Sequence, residues 1–415
     1  MNRTTRHVAG AVGTCLALLI GADRAAAQEP PPDHSHMHMD MDMSSGWHFM
    51  QDGVLFGVFN HQGGPRGATE FKAPNWWMGQ ASHDVGSSRL TLNAMLSLDA
   101  ATEGRSGYAE LFQVGEVLDG RPLVDRQHPH DLFMQLAAVW RVPLGDRWGL
   151  TLAGAPVGEP ALGPVAFMHR ASIAEYPFAP LSHHTFDSTH IAFGVVTAAV
   201  DRGPFVLEAS IFNGREPDDN RWDFDFGALD SYSARLWIKP AERWEFQVST
   251  GHLTDPEALE EGNVQRTTAS GSWFAQDGSD YTAVTAGYGI NVTEHGNRQA
   301  GFLEATRRRG ATAVFGRAEV LQVETALLLQ DAIPPTDTAA EVSDVVGAFT
   351  AGLERDVLAL RGFSAGLGAA MTVYTVPSAL KGAYTDNPVS FQLFFRLRPP
   401  AGAMGRMWNM RMIGH

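Results

Sequence analysis

Hydrophobic and polar residues alternate along short segments that recur through most of the chain. In the segment 88–98, Leu90, Leu92 and Leu96 fall on one face, whereas Asn93 falls on the other. A period of two is the pattern of a β-strand with one polar face, and about ten residues of tilted strand span an outer membrane. The segments are therefore predicted to be membrane-spanning strands.

Seventeen such segments can be counted, from 49–60 at one end of the chain to 388–398 at the other. A barrel formed by a single bacterial chain usually has an even number of strands, so one segment is predicted not to span the membrane. We select the short segment 107–114 for this exception.

The links between the segments alternate between short turns, such as 143–146, and long loops, such as 155–187. Short turns at one end and long loops at the other are typical of outer-membrane barrels. We therefore predict an all-β fold, a transmembrane antiparallel β-barrel of about 16 strands (range about 14–18) over residues 47–398. We also expect the loop 155–187 to fold inward.

The alternative to a membrane barrel is a soluble β-sandwich or β-propeller. The chain has no repeat with a fixed period of about 40–50 residues, which a propeller would require. Aromatic residues such as Trp140, Trp148 and Trp244 lie near segment ends, as in the aromatic belts of membrane proteins. Both observations favour the membrane barrel.

The N-terminal segment has the three parts of a secretory signal peptide. Arg3 and Arg6 are followed by an apolar run from Val8 to Gly21 and by the small residues Ala25–Ala27. The apolar run is shorter than the roughly 20 residues that a spanning helix needs. We therefore predict a signal peptide over 1–27 and a location in the bacterial outer membrane.

The composition narrows the partners of the mature chain. Its single cysteine, Cys15, lies within the predicted signal peptide, so neither a disulfide nor a thiolate ligand is expected. The formal net charge of the full sequence, −15, argues against binding of nucleic acid. The expected partners are outer-membrane lipid, metal ions or small solutes, and periplasmic metal-handling proteins.

Residues 28–46 are predicted to be a disordered periplasmic tail, because their polar, proline-containing sequence cannot build a core. Residues 399–415 are predicted to be a C-terminal tail.

The N-terminal tail carries both methionine and histidine. Thioether sulfur selects Cu(I), and imidazole binds Cu(II), Zn and Ni, so this combination indicates copper binding. The alternative is compositional drift in an unconstrained tail. The predicted ligands are His34, His36, Met37, His38, Met39, Met41 and Met43.

A second concentration of histidines lies in or beside the longest loops. It predicts a metal-binding or selectivity site at the mouth or in the lumen, with Met134 and Met168 as soft partners. Alternatively, these histidines attach an inward loop to the barrel wall, and spacing leaves both readings open. The residues concerned are His128, His130, Asp131, His169, His183, His184, Asp187 and His190.

A lipid-active enzyme is a further alternative, since Ser188, His190 and Asp187 lie close in sequence. Residues two apart on one strand do not form a nucleophile–base pair as neighbouring strands do. We therefore predict no enzymatic activity.

The sequence DHSHMHMDMDM at 33–43, followed by a barrel pattern, resembles the outer-membrane copper-resistance protein B family. This resemblance implies copper sequestration in the periplasm or efflux across the outer membrane, with the tail as the first acceptor. The function expected from the sequence is therefore an outer-membrane barrel that binds copper or a related metal ion or helps to move it. The main alternative is a general porin for small solutes whose tail is incidental.

Overall fold

The computed structural model describes residues 46–258, 262–329 and 342–400. The predicted signal peptide, all tail residues before Gly46 and residues 401–415 lie outside the described residues, and so do the seven predicted ligands of the N-terminal tail. No helix among the described residues is both long enough and apolar enough to cross a membrane.

Strands dominate the described parts of the chain, and the helices there are short. The strands are β1 Trp47–His61, β2 Thr69–Lys72, β3 Asn75–Val85, β4 Ser88–Leu96, β5 Tyr108–Leu118, β6 Arg121–Gln127, β7 Phe133–Leu144, β8 Trp148–Gly158, β9 Ala192–Arg202, β10 Phe205–Phe212, β11 Ser231–Ala241, β12 Trp244–Leu253, β13 Val264–Asp277, β14 Asp280–Val292, β15 Asn297–Arg309, β16 Thr312–Glu324, β17 Ser343–Leu360, β18 Phe363–Thr375 and β19 Val389–Arg398. The α-helices are Asp99–Thr102, His183–Phe186, Thr325–Leu329 and Lys381–Tyr384, and 3-10 turns cover Phe167–His169 and Ser188–His190.

The barrel closes where β1 pairs antiparallel with β19, with Gly57 opposite Phe395. On its other edge β1 pairs with β3 and then with β2, so β2 and β3 act as one barrel strand that is interrupted at Pro74. Counting them as one gives a closed antiparallel barrel of 16 strands in sequential order. The predicted fold class and strand number are confirmed.

The hairpin of β5 and β6 forms a separate two-stranded sheet and does not join the barrel wall. This confirms that segment 107–114 does not span. Sequence reasoning did not find β6 or the short β2. Consecutive residues of β5 from Tyr108 to Gln113 are all buried, so this hairpin lacks the alternation that identifies a wall strand.

The two faces of the wall strands have opposite character. On β19, Leu393 is 54% exposed and Phe391 and Phe395 also point outward, whereas Gln392 and Arg396 are almost fully buried. Apolar residues therefore cover the outside and polar residues line the lumen, which is the inverse of a soluble protein. This arrangement suits a barrel with lipid around it.

The two ends of the barrel differ in their connections. At one end the hairpins close in tight turns; Gly203, for example, takes a positive φ of 56° between β9 and β10. We call this the short-turn end and the opposite one the long-loop end. Trp47 pairs with His83 and Arg398 pairs with Ser364, so β1 begins and β19 ends at the short-turn end.

The loop 159–191 folds into the lumen, as expected from the sequence, and nearly all of its residues are buried. Its Arg170 binds Glu304 on β15 through two hydrogen bonds of 2.8 and 2.9 Å. Further along, Ser182 Oγ donates to Glu319 on β16, 2.7 Å away. The loop therefore crosses the lumen from β8 and β9 to the opposite wall, and we call residues 159–191 the crossing loop.

The β5–β6 hairpin fills another part of the lumen and contacts the crossing loop. The Tyr108 ring stacks on Phe178 with centroids 4.2 Å apart, and the Tyr108 hydroxyl accepts a hydrogen bond from the Ala179 backbone N–H. On its other side the hairpin stacks Phe112 on Tyr384. Two packed inserts thus occupy the space that a wide pore would leave to water.

Candidate functional site

Five of the histidines predicted from the sequence come together where the crossing loop meets the chain segment between β6 and β7. Successive ring centroids are 5.5, 5.1, 5.6 and 6.1 Å apart. We call this set the histidine row, and its order is His130, His190, His183, His184 and His128.

Asp187 organises the part of the row that lies on the crossing loop. One of its carboxylate oxygens is 2.8 Å from His183 Nδ1, and the other accepts from the Arg170 guanidinium and the Phe167 backbone N–H. The Asp187 carbonyl oxygen lies 2.7 Å from His190 Nδ1. One aspartate between a helical turn and a 3-10 turn therefore fixes two imidazoles.

All five rings of the row use Nδ1 in the same way. His130 Nδ1 is 2.7 Å from an Asp99 carboxylate oxygen, His184 Nδ1 is 3.1 Å from Glu216 Oε1, and His128 Nδ1 is 3.1 Å from the Pro129 carbonyl oxygen. A carbonyl or carboxylate oxygen only accepts, so Nδ1 carries the proton in each ring. In the neutral imidazole, Nε2 then holds the lone pair that can bind a metal.

The environment of three rings in the row favours the neutral form. Burial lowers the pKa of His128, His183 and His190 below the usual range of histidine. For His183 the nearby Asp187 carboxylate opposes this shift without reversing it. The nitrogen lone pairs of these three rings are therefore not taken by protons at neutral pH.

Other residues in the predicted set lie outside the row. His169 packs its ring against Trp76, with centroids 4.8 Å apart, and burial lowers the pKa of His169 to about 4. Asp131 forms an ion pair with Arg221 at 3.3 Å. Met134 and Met168, predicted as soft partners, pack into a hydrophobic cluster.

The row is a series of neighbouring ligands, not a closed cage. Within the described ranges, three ligand atoms of histidine, cysteine or acidic residues lie within 4.8 Å of one another at two places. One is His184 with Glu216 and Glu257, and the other is an acidic set on the β10–β11 loop: Asp218, Asp223 and Asp225.

Asp99, Glu216 and Glu257 are the site residues that sequence reasoning missed. Each comes from a different loop, and Glu216 is 32 residues away from its partner His184. No local pattern marks them, because only the paths of the loops bring them to the imidazoles.

The geometry around Ser188 differs from that of a hydrolase. Ser188 Oγ accepts a hydrogen bond from Arg266, and His190 Nδ1 donates to the carbonyl oxygen of Asp187, not to its carboxylate. These three side chains therefore do not form a nucleophile–base–acid relay.

Comparison with known proteins identifies structures with a similar fold but gives no information on the site. No family model and no curated protein matches the chain in sequence. Its structure is similar to OprB of Pseudomonas putida, with 12% identity over 86% of this chain and 95% of that chain and a TM-score of 0.52. It is also similar to an anion-selective porin from Comamonas acidovorans, with 8% identity over 85% and 99% of the two chains and a TM-score of 0.51. The fold is that of a bacterial outer-membrane β-barrel.

Proposed function

We propose that this outer-membrane barrel binds copper, or a related metal ion, in its lumen and helps to move it at the outer membrane. The observation that carries this proposal is the histidine row. Its five imidazoles each donate Nδ1–H to an oxygen and so present Nε2 as the ligand nitrogen. Metal-binding histidines usually have this second hydrogen bond, which orients the ring.

The orientation of the chain supports a route for the ion. Short turns of outer-membrane barrels face the periplasm, and β1 begins at that end. The His/Met tail therefore leaves the barrel on the periplasmic side in this proposal. The lumen opens at the same end as a cavity of about 770 Å³ with inward-facing charged residues, among them Asp84, Arg89, Arg141, Asp201 and Lys239.

This cavity also favours a second function, the passage of small solutes through a narrowed lumen. The crossing loop and the hairpin occupy the lumen beyond the cavity, so we do not propose a wide diffusion pore. In planar bilayers, a general porin would give a large conductance that is indifferent to copper.

Copper titration of the histidine row tests the first function. We expect the mature protein in detergent to lose Cu(II) equivalents when three row residues change together, His130→Gln, His183→Gln and His190→Gln. His295→Gln, which lies outside the row on the β14–β15 turn, is the matched control and should bind as the wild type does. Equal copper stoichiometry and affinity in the wild type and the triple variant would refute the proposal.

A further inference from the structure

Three loops bring one imidazole and two carboxylates together at the long-loop end of the barrel. His184 lies on the crossing loop, Glu216 on the β10–β11 loop and Glu257 on the β12–β13 loop, and one ligand atom of each lies within 4.8 Å of the other two. We call these residues the three-loop cluster. The Glu216 backbone N–H donates to the Pro256 carbonyl oxygen at 3.0 Å, which holds two of the loops in register.

His184 faces the cluster through Nδ1, which lies 3.1 Å from Glu216 Oε1. Nδ1 is therefore the nitrogen available to an ion held here, whereas Nε2 lies on the opposite side of the ring. The His184 backbone is itself fixed, because its carbonyl oxygen accepts from Asn291 Nδ2 at 3.1 Å.

A neighbouring cation, Arg266, directs its hydrogen bonds elsewhere. Its Nη1 binds Ser188 Oγ and its Nε binds Asn291 Oδ1, each at 3.0 Å. Two of its guanidinium nitrogens are therefore hydrogen-bonded to residues outside the three-loop cluster. Two carboxylates so close together repel each other unless a proton or a cation lies between them.

We propose that His184, Glu216 and Glu257 hold a divalent first-row transition-metal ion, of the zinc or copper(II) class, that ties the three loops together. One imidazole nitrogen and two carboxylate oxygens suit such ions, and the set has no sulfur ligand for Cu(I). Binding displaces the proton shared by the Glu216 and Glu257 carboxylates, which leaves to solvent, and the neutral His184 ring then carries its proton on Nε2 instead of Nδ1.

The dimensions of the cluster fit this ion. Zinc binds imidazole nitrogen at about 2.0–2.1 Å and carboxylate oxygen at about 2.0–2.2 Å, so tetrahedral ligands lie roughly 3.4 Å apart. His184 Nδ1 and Glu216 Oε1 are already 3.1 Å apart. A cavity of about 10 Å³ next to Glu216 is lined by Ser188 and Arg266 among others, and it has room for about one water molecule.

This site goes beyond the function proposed above, because it needs neither the tail nor the row residues other than His184. The triple variant of the row leaves all three of its ligands in place. Failure of copper binding by the row and failure of the three-loop cluster are therefore distinguishable.

Calorimetric titration with ZnCl2 of the full mature protein in detergent tests the cluster. We expect the Glu257→Gln variant to lose one zinc equivalent, or to bind it at least about tenfold more weakly. Glu294→Gln removes an exposed carboxylate at the same end of the barrel and should leave every zinc equivalent unchanged. The tail contributes the same equivalents in each protein, so it cancels in the comparison.

Anomalous diffraction at the zinc edge gives a second measurement that needs no variant. Crystals of the wild type soaked in ZnCl2 are expected to show a peak between the three side chains. Identical zinc binding by Glu257→Gln and the wild type, or a map without a peak at this position, would overturn the proposal.

Discussion

At the scale of single residues, the histidines of the lumen divide into two groups by their hydrogen bonds. Each ring of the histidine row donates Nδ1–H to an oxygen and keeps a defined tautomer. His169 instead contacts the Trp76 ring, and its low pKa follows from burial. This residue therefore offers a measure of lumen burial that is separate from the proposed metal ligands.

The barrel is expected to become less stable as the pH is lowered, because His169 is buried in its neutral form. Its pKa is about 4 in the folded protein and about 6.5 in an unfolded chain, so the unfolded state binds more protons between these values. The contribution of His169 to the free energy of unfolding is constant above about pH 6.5. Between about pH 6.5 and pH 4 the free energy of unfolding falls by roughly 3 kcal/mol. Denaturant unfolding in detergent at pH 7.5 and pH 4.5 measures it.

Other buried histidines also make the folded protein less stable at low pH, so the effect of His169 is isolated by comparing the wild type with His169→Gln. The variant should lose less stability between the two pH values than the wild type does. Equal pH dependence of the wild type and His169→Gln would contradict the assignment.

The predicted site residues show how far a sequence reaches at this scale. The concentration of histidines around 128–190 was visible, and the structure brings five of them into a row. Their oxygen partners Asp99 and Glu216 were not visible, because those contacts depend on where three loops pass in the lumen. Residue types in the sequence indicate which ligands and hydrogen-bonding groups are available, whereas the paths of the loops determine which of these side chains come into contact.

At the scale of elements, the crossing loop is held to the opposite wall by buried charges. Arg170 on the loop is bonded to both Glu304 on β15 and Asp187. All three side chains are at most 2% exposed, so removing one charge leaves the others buried without compensation. The position of the loop, and with it the row, depends on this pairing.

Arg170→Met is expected to destabilise the folded loop by about 3–5 kcal/mol, because two buried carboxylates lose their cation. Adding Glu304→Gln should recover part of this loss, and a double-mutant cycle from denaturant unfolding measures the coupling. The single variant should also conduct more in planar bilayers, since a released loop opens the lumen.

The matched control is Arg298→Met, which breaks an ion pair between β15 and β16, with Glu324, instead of the ion pairs that Arg170 makes. Its conductance should equal that of the wild type. Arg170→Met with an unchanged conductance would show that the loop does not restrict the lumen.

The elements themselves were predictable where the wall imposes two different faces. On β11, Ser233 and Arg235 face the lumen and Tyr232 faces outward, so a period of two appears in the sequence. The β5–β6 hairpin lies between packed surfaces and has no such period. Alternation therefore identified the wall strands, whereas segment 107–114 was excluded because it is short and an even strand number is expected.

At the scale of the whole molecule, closure and filling are separate properties of this chain. The seam between β1 and β19 leaves no open edge in the sheet, which a β-structure in lipid requires. The inserts then fill the closed lumen with paired charges and aromatic stacks. A wall with a porin-like fold therefore encloses a largely filled interior that contains the histidine row.

The two proposals assign different kinds of metal ligand to different segments of the chain, and this division can be tested. Met37, Met39, Met41 and Met43 offer thioether sulfur for Cu(I), whereas the barrel offers nitrogen and oxygen for divalent ions. Serine at all four positions should weaken Cu(I) binding on the order of tenfold or more and leave zinc binding by the barrel unchanged. Competition with a colorimetric Cu(I) chelator measures the first effect, and calorimetry measures the second.

The C-terminal segment supplies a control of equal size, since serine at Met404, Met407, Met410 and Met412 removes the same number of thioethers. That variant should keep wild-type Cu(I) affinity if the closely spaced methionines and histidines of the N-terminal tail act together. Equal losses in both variants would mean that methionines contribute whatever their sequence context. The two tails would then differ in sequence but not in function, and copper delivery from the N-terminal side would lose its support.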